Sequence, residues 1–174
     1  KTFTRHLQPG VYVIYITMKS NKICSVFGHR EINNVNFLEK VLYSLFYDIY
    51  FNFGIREVWF GGLGEFDELC WQVVTDLKNS YNLKFERVLC LWDERHLRVS
   101  KRPEWLKDGD YERLEYLSFF DYWKNRIFFR NRAMIDSSDL VVFYVGDNKE
   151  KSGARSALEY AKKCKKNYIN IYVK

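Results

Sequence analysis

Glu57-Val58-Trp59-Phe60-Gly61-Gly62-Leu63-Gly64-Glu65-Phe66-Asp67 is the stretch on which the fold turns. A short run of strand-forming type meets a cluster of glycines. Apolar residues then recur at helical spacing at Phe66, Leu69, Cys70, Val73, Val74 and Leu77. The spacing predicts a strand over 57–60 and a helix over 65–79, joined by a turn with little side chain. Consecutive glycines free the backbone amides to face an anion, and a helix starting near Glu65 adds its positive end. The order of glycines is not the Gly-x-Gly-x-x-Gly dinucleotide fingerprint, and no Gly-Lys-Ser/Thr follows, so neither an NAD site nor a P-loop is supported.

Outward from this unit the same alternation continues. Strands are predicted at 23–27, 85–91, 140–145 and 168–172, and helices at 36–53, 126–136 and 152–163. In the first helix Phe37, Leu38, Val41, Leu42, Leu45, Phe46 and Ile49 recur at helical spacing, and its aromatics are expected in the core. Alternating β and α segments specify an α/β domain: a Rossmann-like three-layer sandwich with a mainly parallel sheet of about five strands. Its single domain covers 18–174. Residues 1–17, with the strand-like run Val11 to Ile16, read as an N-terminal extension, either an extra strand or a remnant foreign to the domain. The charged and aromatic stretch from about 93 to 123, which carries Pro103 and Gly109, reads as a lid-like insertion, partly helical.

Composition narrows the function classes. With 47% hydrophobic and 18% aromatic residues in 174, the chain can bury one core and is not disordered. The net charge of +6 favours anionic partners, yet acidic residues interleave with basic ones, which argues against a nucleic-acid surface. Lys162, Lys163, Lys165 and Lys166 fall at a helix end, where cations offset the macrodipole. The four cysteines form no Cys-x-x-Cys pair and read as buried thiols of a reducing compartment, with the cytoplasm as expected location. No stretch is long and apolar enough to span a bilayer, and no membrane partner is expected. His6, His29 and His96 are too far apart to suggest a zinc site, and neither a metal nor a cofactor is expected.

In an open α/β sheet ligands bind beyond the carboxyl ends of the strands, so the residues after each strand carry the chemistry. The first such segment is Gly28, His29 and Arg30, where glycine admits a ligand and the two side chains donate to phosphate or ribose oxygens. The second is the glycine turn, with Gly61, Gly62 and Gly64 as backbone contacts. Its Asp67 serves either as a helix cap or as an acceptor of ribose hydroxyls. The third brackets the strand at 140–145, with Arg130 and Asn131 before it and Ser152, Gly153 and Arg155 after it at a helix start.

Taken in order, Phe-Gly-His-Arg, Gly-Gly-x-Gly-x-Phe-Asp, Arg-Asn-Arg-x-Met-Ile-Asp-x-Ser-Asp, then Ser-Gly-Ala and Glu-Tyr-Ala, resemble the bacterial and phage branch of the SLOG superfamily that includes the YpsA-type proteins. The superfamily also includes the Lonely Guy phosphoribohydrolases and the DprA proteins. In those hydrolases an arginine precedes the fourth strand, and a Pro-Gly-Gly-x-Gly-Thr-x-x-Glu loop follows it. The resemblance implies that Arg130 takes the arginine's place and Glu159 that of the catalytic glutamate. Proline and two glycines of that loop are replaced here, and Arg155 stands where the family keeps its smallest residues.

The leading expectation is a module that binds or senses a nucleotide-derived ligand, such as an ADP-ribose-like molecule or a nucleoside phosphate. The alternative is an N-glycosidase of nucleoside monophosphates with Arg130 and Glu159 as catalytic residues. Single-stranded DNA binding of the DprA type ranks third. The partner is thus a small molecule, with a homodimer left open.

Overall fold

The computed structural model describes residues 22–92, 110–117, 125–146 and 152–172. Its elements run β1 (Lys22–Gly28), α1 (Val35–Asn52), β2 (Ile55–Phe60), α2 (Glu65–Tyr81), β3 (Glu86–Leu91), β4 (Arg113–Tyr116), α3 (Arg126–Ser137), β5 (Leu140–Tyr144), α4 (Gly153–Lys163) and β6 (Tyr168–Asn170). The six strands form one parallel sheet in the order β4-β3-β2-β1-β5-β6. This is the predicted Rossmann-like three-layer α/β architecture, with one strand more than expected.

The strands read as apolar runs because both sheet faces are covered. Along β5, Leu140, Val142 and Tyr144 pack in one core while Val141 and Phe143 pack in the other, the period of two that a strand imposes. The first core takes Leu42, Phe46 and Ile49 of α1 and Phe66, Cys70 and Val74 of α2. The second takes Met134 and Ile135 of α3 and Ala157, Leu158 and Ala161 of α4. Each such large side chain, fully buried, contributes about 1.5–3 kcal/mol. Ser25 is the polar exception inside β1, and its hydroxyl lies 2.6 Å from that of Ser138, which itself donates to the Met134 carbonyl at 2.7 Å. That chain pins the end of α3 against the central strand.

Two expectations about side chains are corrected. Phe37 is 51% exposed, because the helix turns its 38-42-46-49 face to the sheet and leaves Phe37 outside that stripe. Cys24, Cys70 and Cys90 are buried, with burial pushing each thiol up, but Cys164 is exposed past the end of α4. Lys162 and Lys163 do occupy the last turn of α4, and Lys166 donates to the Asp136 carbonyl at 2.6 Å, closing the C-terminus of α3.

The extension 1–17 lies outside the described residues, as do 93–109 and 118–123 of the charged stretch. The described part of that stretch contains β4, where the sequence had suggested no strand. β4 extends the sheet beyond β3 and is held by charge as much as by apolar contact. Arg113 pairs with Glu57 at 2.6 Å, Glu86 at 2.7 Å and Glu115 at 2.8 Å, while the neighbouring Glu112 accepts from Arg87 and Lys78. No helix among the described residues is long and apolar enough to cross a membrane.

Candidate functional site

From β1 the chain crosses to β2, β3 and β4 on one side and to β5 and β6 on the other, so the order reverses at β1. That reversal opens a crevice between the loops that leave β1 and β5. A cleft of about 400 Å³ lies there, lined by Gly28, His29 and Arg30 after β1, Gly61, Leu63 and Asp67 after β2, Ile127, Arg130 and Asn131 of α3, and Ser152, Gly153 and Ala154 at the start of α4. Loops far apart in sequence thus converge on one space.

The glycine turn behaves differently from its sequence reading. Its amides do face a carboxylate, but that carboxylate is the protein's own Asp67. The Leu63 N–H donates to Asp67 Oδ2 at 3.2 Å, and the backbone N–H groups of Gly62 and Gly61 help to hold the same group. Asp67 is 5% exposed. Burial pushes its carboxyl up to about 6, against the downward pull of the turn amides and of Arg130. The anion that the turn was expected to receive from a ligand is therefore built in.

Arg130 is no surface arginine. It is 3% exposed, its Nη1 donates to the Gly61 carbonyl at 2.7 Å, and its Nε and Nη2 donate to Asn131 Oδ1 at 3.2 and 2.8 Å. Burial pulls its guanidinium below the ordinary value while Asp67 opposes this. A Cβ on Gly61 would lie 2.8 Å from Arg130 Nη2, which explains why this position has no side chain. Asn131 turns its carbonyl oxygen toward the arginine and stands in the same wall.

The other glycines have separate reasons. A Cβ on Gly28 would lie 2.3 Å from the Phe66 ring, so the first turn of α2 seats itself on the end of β1. Gly64 has φ of +102° and packs against the Arg30 backbone, and the Glu65 N–H donates to the Arg30 carbonyl at 2.9 Å. The Glu65 carboxylate in turn accepts from the Ile32 N–H at 2.8 Å, pointing away from any anion in the cleft. Gly62 and Gly64 shape the turn and do not line the cleft.

On the third wall Ser152 caps α4, its hydroxyl accepting from the Arg155 N–H at 3.1 Å. Gly153 and Ala154, ahead of the first intrahelical bonds, present the positive end of the helix to the cleft. Arg155 does not line it, since its guanidinium donates to the Gly146 carbonyl. His29 takes the Gly146 N–H on its Nε2 at 3.0 Å, so the neutral ring carries its proton on Nδ1. Glu159 is separated from the rest. It sits past the first turn of α4, exposed, and pairs with Lys162 at 3.0 Å.

Leu63, Ile127, Ala154 and the bracketing residue Gly146 escaped the sequence reading. Ile127 had a signal, because it precedes Arg130 by three residues and must share its helix face.

The fold recurs in a solved structure. This chain superposes on the X-ray structure of TM1055, a target of the Northeast Structural Genomics Consortium, with a TM-score of 0.53 and 17% identity over 84% of this chain and 72% of that one. The likeness is one of fold. No protein-family model matches the sequence, and no curated protein matches it.

Proposed function

We propose that the cleft binds a nucleotide-derived ligand and that the domain acts as a binding or sensing module of the YpsA-like branch of the SLOG superfamily. The observation that carries this reading is the convergence of Arg30, Arg130 and the start of α4 on one crevice at the strand-order reversal. Arg30 is exposed, and Gly153 and Ala154 bring backbone amides, so a phosphate there meets a cation and a helix N-terminus. The ordered series of loop motifs supports the superfamily assignment independently.

The test uses Gly153→Ala and Arg30→Ala with a nucleotide panel in thermal-shift and calorimetric titration. A Cβ at Gly153 meets no atom within 4 Å, so the fold accepts it. Ligand-induced stabilisation should appear in the native protein and shrink in both variants, with unliganded stability unchanged or raised in Gly153→Ala. If no nucleotide or ADP-ribose-like compound stabilises the native protein, the reading fails.

A specific observation favours catalysis as a second reading, with a changed cast. The carboxylate in the cleft wall is Asp67 and not Glu159, and a carboxyl near 6 suits proton transfer at neutral pH. N-glycoside cleavage on this reading would release free base from nucleoside monophosphates, be lost in Asp67→Asn and survive in Glu159→Gln. Absence of turnover across purine and pyrimidine substrates rejects it.

A further inference from the structure

A second cavity, of about 460 Å³, shares no lining residue with the cleft. Phe37 and Leu38 of the first turn of α1, Tyr144 at the end of β5, and Ile171 and Tyr172 beyond β6 form its walls, and Asn33 and Asn34 complete it. The Tyr144 and Tyr172 rings lie 5.1 Å apart, and Tyr144 is stacked on the buried Phe66 at 5.5 Å, which holds its plane. His29 meets both tyrosines edge-on, at 6.3 and 6.4 Å. The imidazole thus links the two spaces, lining the cleft and lying edge-on to two rings that line the cavity.

The chemistry of the two spaces is complementary. The cleft offers cations and amides, whereas the cavity offers aromatic faces beside carboxamides. Phe37, half exposed, keeps its ring out of the core, and Asn34 adopts a left-handed backbone (φ 55°) without capping α1 with its side chain. A ring with two π-faces and a hydrogen-bonding edge fits such a lining, because aromatic side chains stack on any base and a carboxamide both donates and accepts.

We infer that this cavity takes the planar heteroaromatic base of the ligand whose phosphate-bearing part occupies the cleft, an inference that rests on the nucleotide reading above. The ligand then reaches past His29 from one space to the other, which selects for molecules that join a base to a phosphate. Free phosphates and short sugar phosphates fill only one half.

Three probes separate the halves in calorimetric titration of the full chain: ribose 5-phosphate for the cleft, adenosine for the cavity, and ADP-ribose for both. ADP-ribose is expected to bind at least about tenfold more tightly than ribose 5-phosphate, the effect of one base–aromatic stacking contact. Phe37→Ala and Tyr172→Ala should remove that advantage and weaken adenosine while leaving ribose 5-phosphate unchanged. Arg30→Ala should do the reverse. Phe37 is half exposed, so its variant keeps the fold, and circular dichroism confirms this before titration. Ribose 5-phosphate binding that depends on Arg30, with no gain from a base and no effect of Phe37→Ala, overturns the cavity assignment and leaves the cleft reading intact. Adenosine binding that depends on Phe37, without any phosphate binding, upholds the cavity and rejects the cleft reading. Binding of none of the three overturns both.

Discussion

Replacing Asp67 by Asn tests which force governs the cleft wall. Burial raises the carboxyl, while the turn amides and Arg130 lower it, and in the structure burial wins, leaving the group near 6 against 3.8 when unfolded. Because the folded-state value is the higher one, the folded protein holds the proton more tightly. The stability this confers is fully present below about 3.8 and is lost as pH rises through about 6. That interval corresponds to about 3 kcal/mol at 1.36 kcal/mol per pH unit. Asn cannot titrate, so the loss is absent in the variant. Urea unfolding of both proteins from pH 4 to 7.5 isolates the effect, since every other titrating group cancels in the difference. The stability of Asp67→Asn relative to the native protein should climb by about 2–3 kcal/mol across this range, on top of a constant offset from altered hydrogen bonding. A flat difference refutes the reasoning. A difference of opposite slope shows that Arg130 and the amides outweigh burial.

Other outcomes follow from the same geometry. Gly28→Ala drives a methyl group into Phe66 and should cost about 1–3 kcal/mol in chemical denaturation. Burial works against the charge on Glu112, but hydrogen bonds from Arg87 and Lys78 hold its carboxyl below the usual range, so its contribution is present above about 4.5 and fades as pH falls. Glu112→Gln should therefore lose about 1 kcal/mol at pH 7 and less at pH 4, the figure being modest because the pair is partly solvated. Ser152→Ala removes the cap of α4 and should lower stability by about 1 kcal/mol in a thermal melt.

The sheet and its helices were legible because burial on both faces writes continuous apolar runs, as in Leu140 to Tyr144, and because α2 repeats at helical spacing. β4 was not. Its Arg-Leu-Glu-Tyr sequence carries no run, and its pairing depends on carboxylates of β2 and β3 that sequence distance hides. The convergence of the loops on a cleft follows from topology, so His29, Arg30, Arg130 and Gly153 were nameable in advance. Which partner each would take was not. Asp67 lies four residues after Leu63, close enough to fill the turn it follows, but chemical type alone does not separate a carboxylate that fills a site from one that lines it. Glu159 lies beyond the first turn of a helix that begins at Gly153, where its side chain faces water and pairs with Lys162.

The bracketing of Gly146 has a bearing on the proposed recognition of a nucleotide. Both backbone groups of that residue are occupied, one by His29 and the other by Arg155, just as the Gly61 carbonyl is occupied by Arg130. Those three main-chain groups are therefore spent on the protein's own side chains. On the nucleotide reading, recognition then falls on the start of α4 and on Arg30, whose exposed side chain can be exchanged without disturbing the scaffold, whereas Asn131 is tied to the buried Arg130.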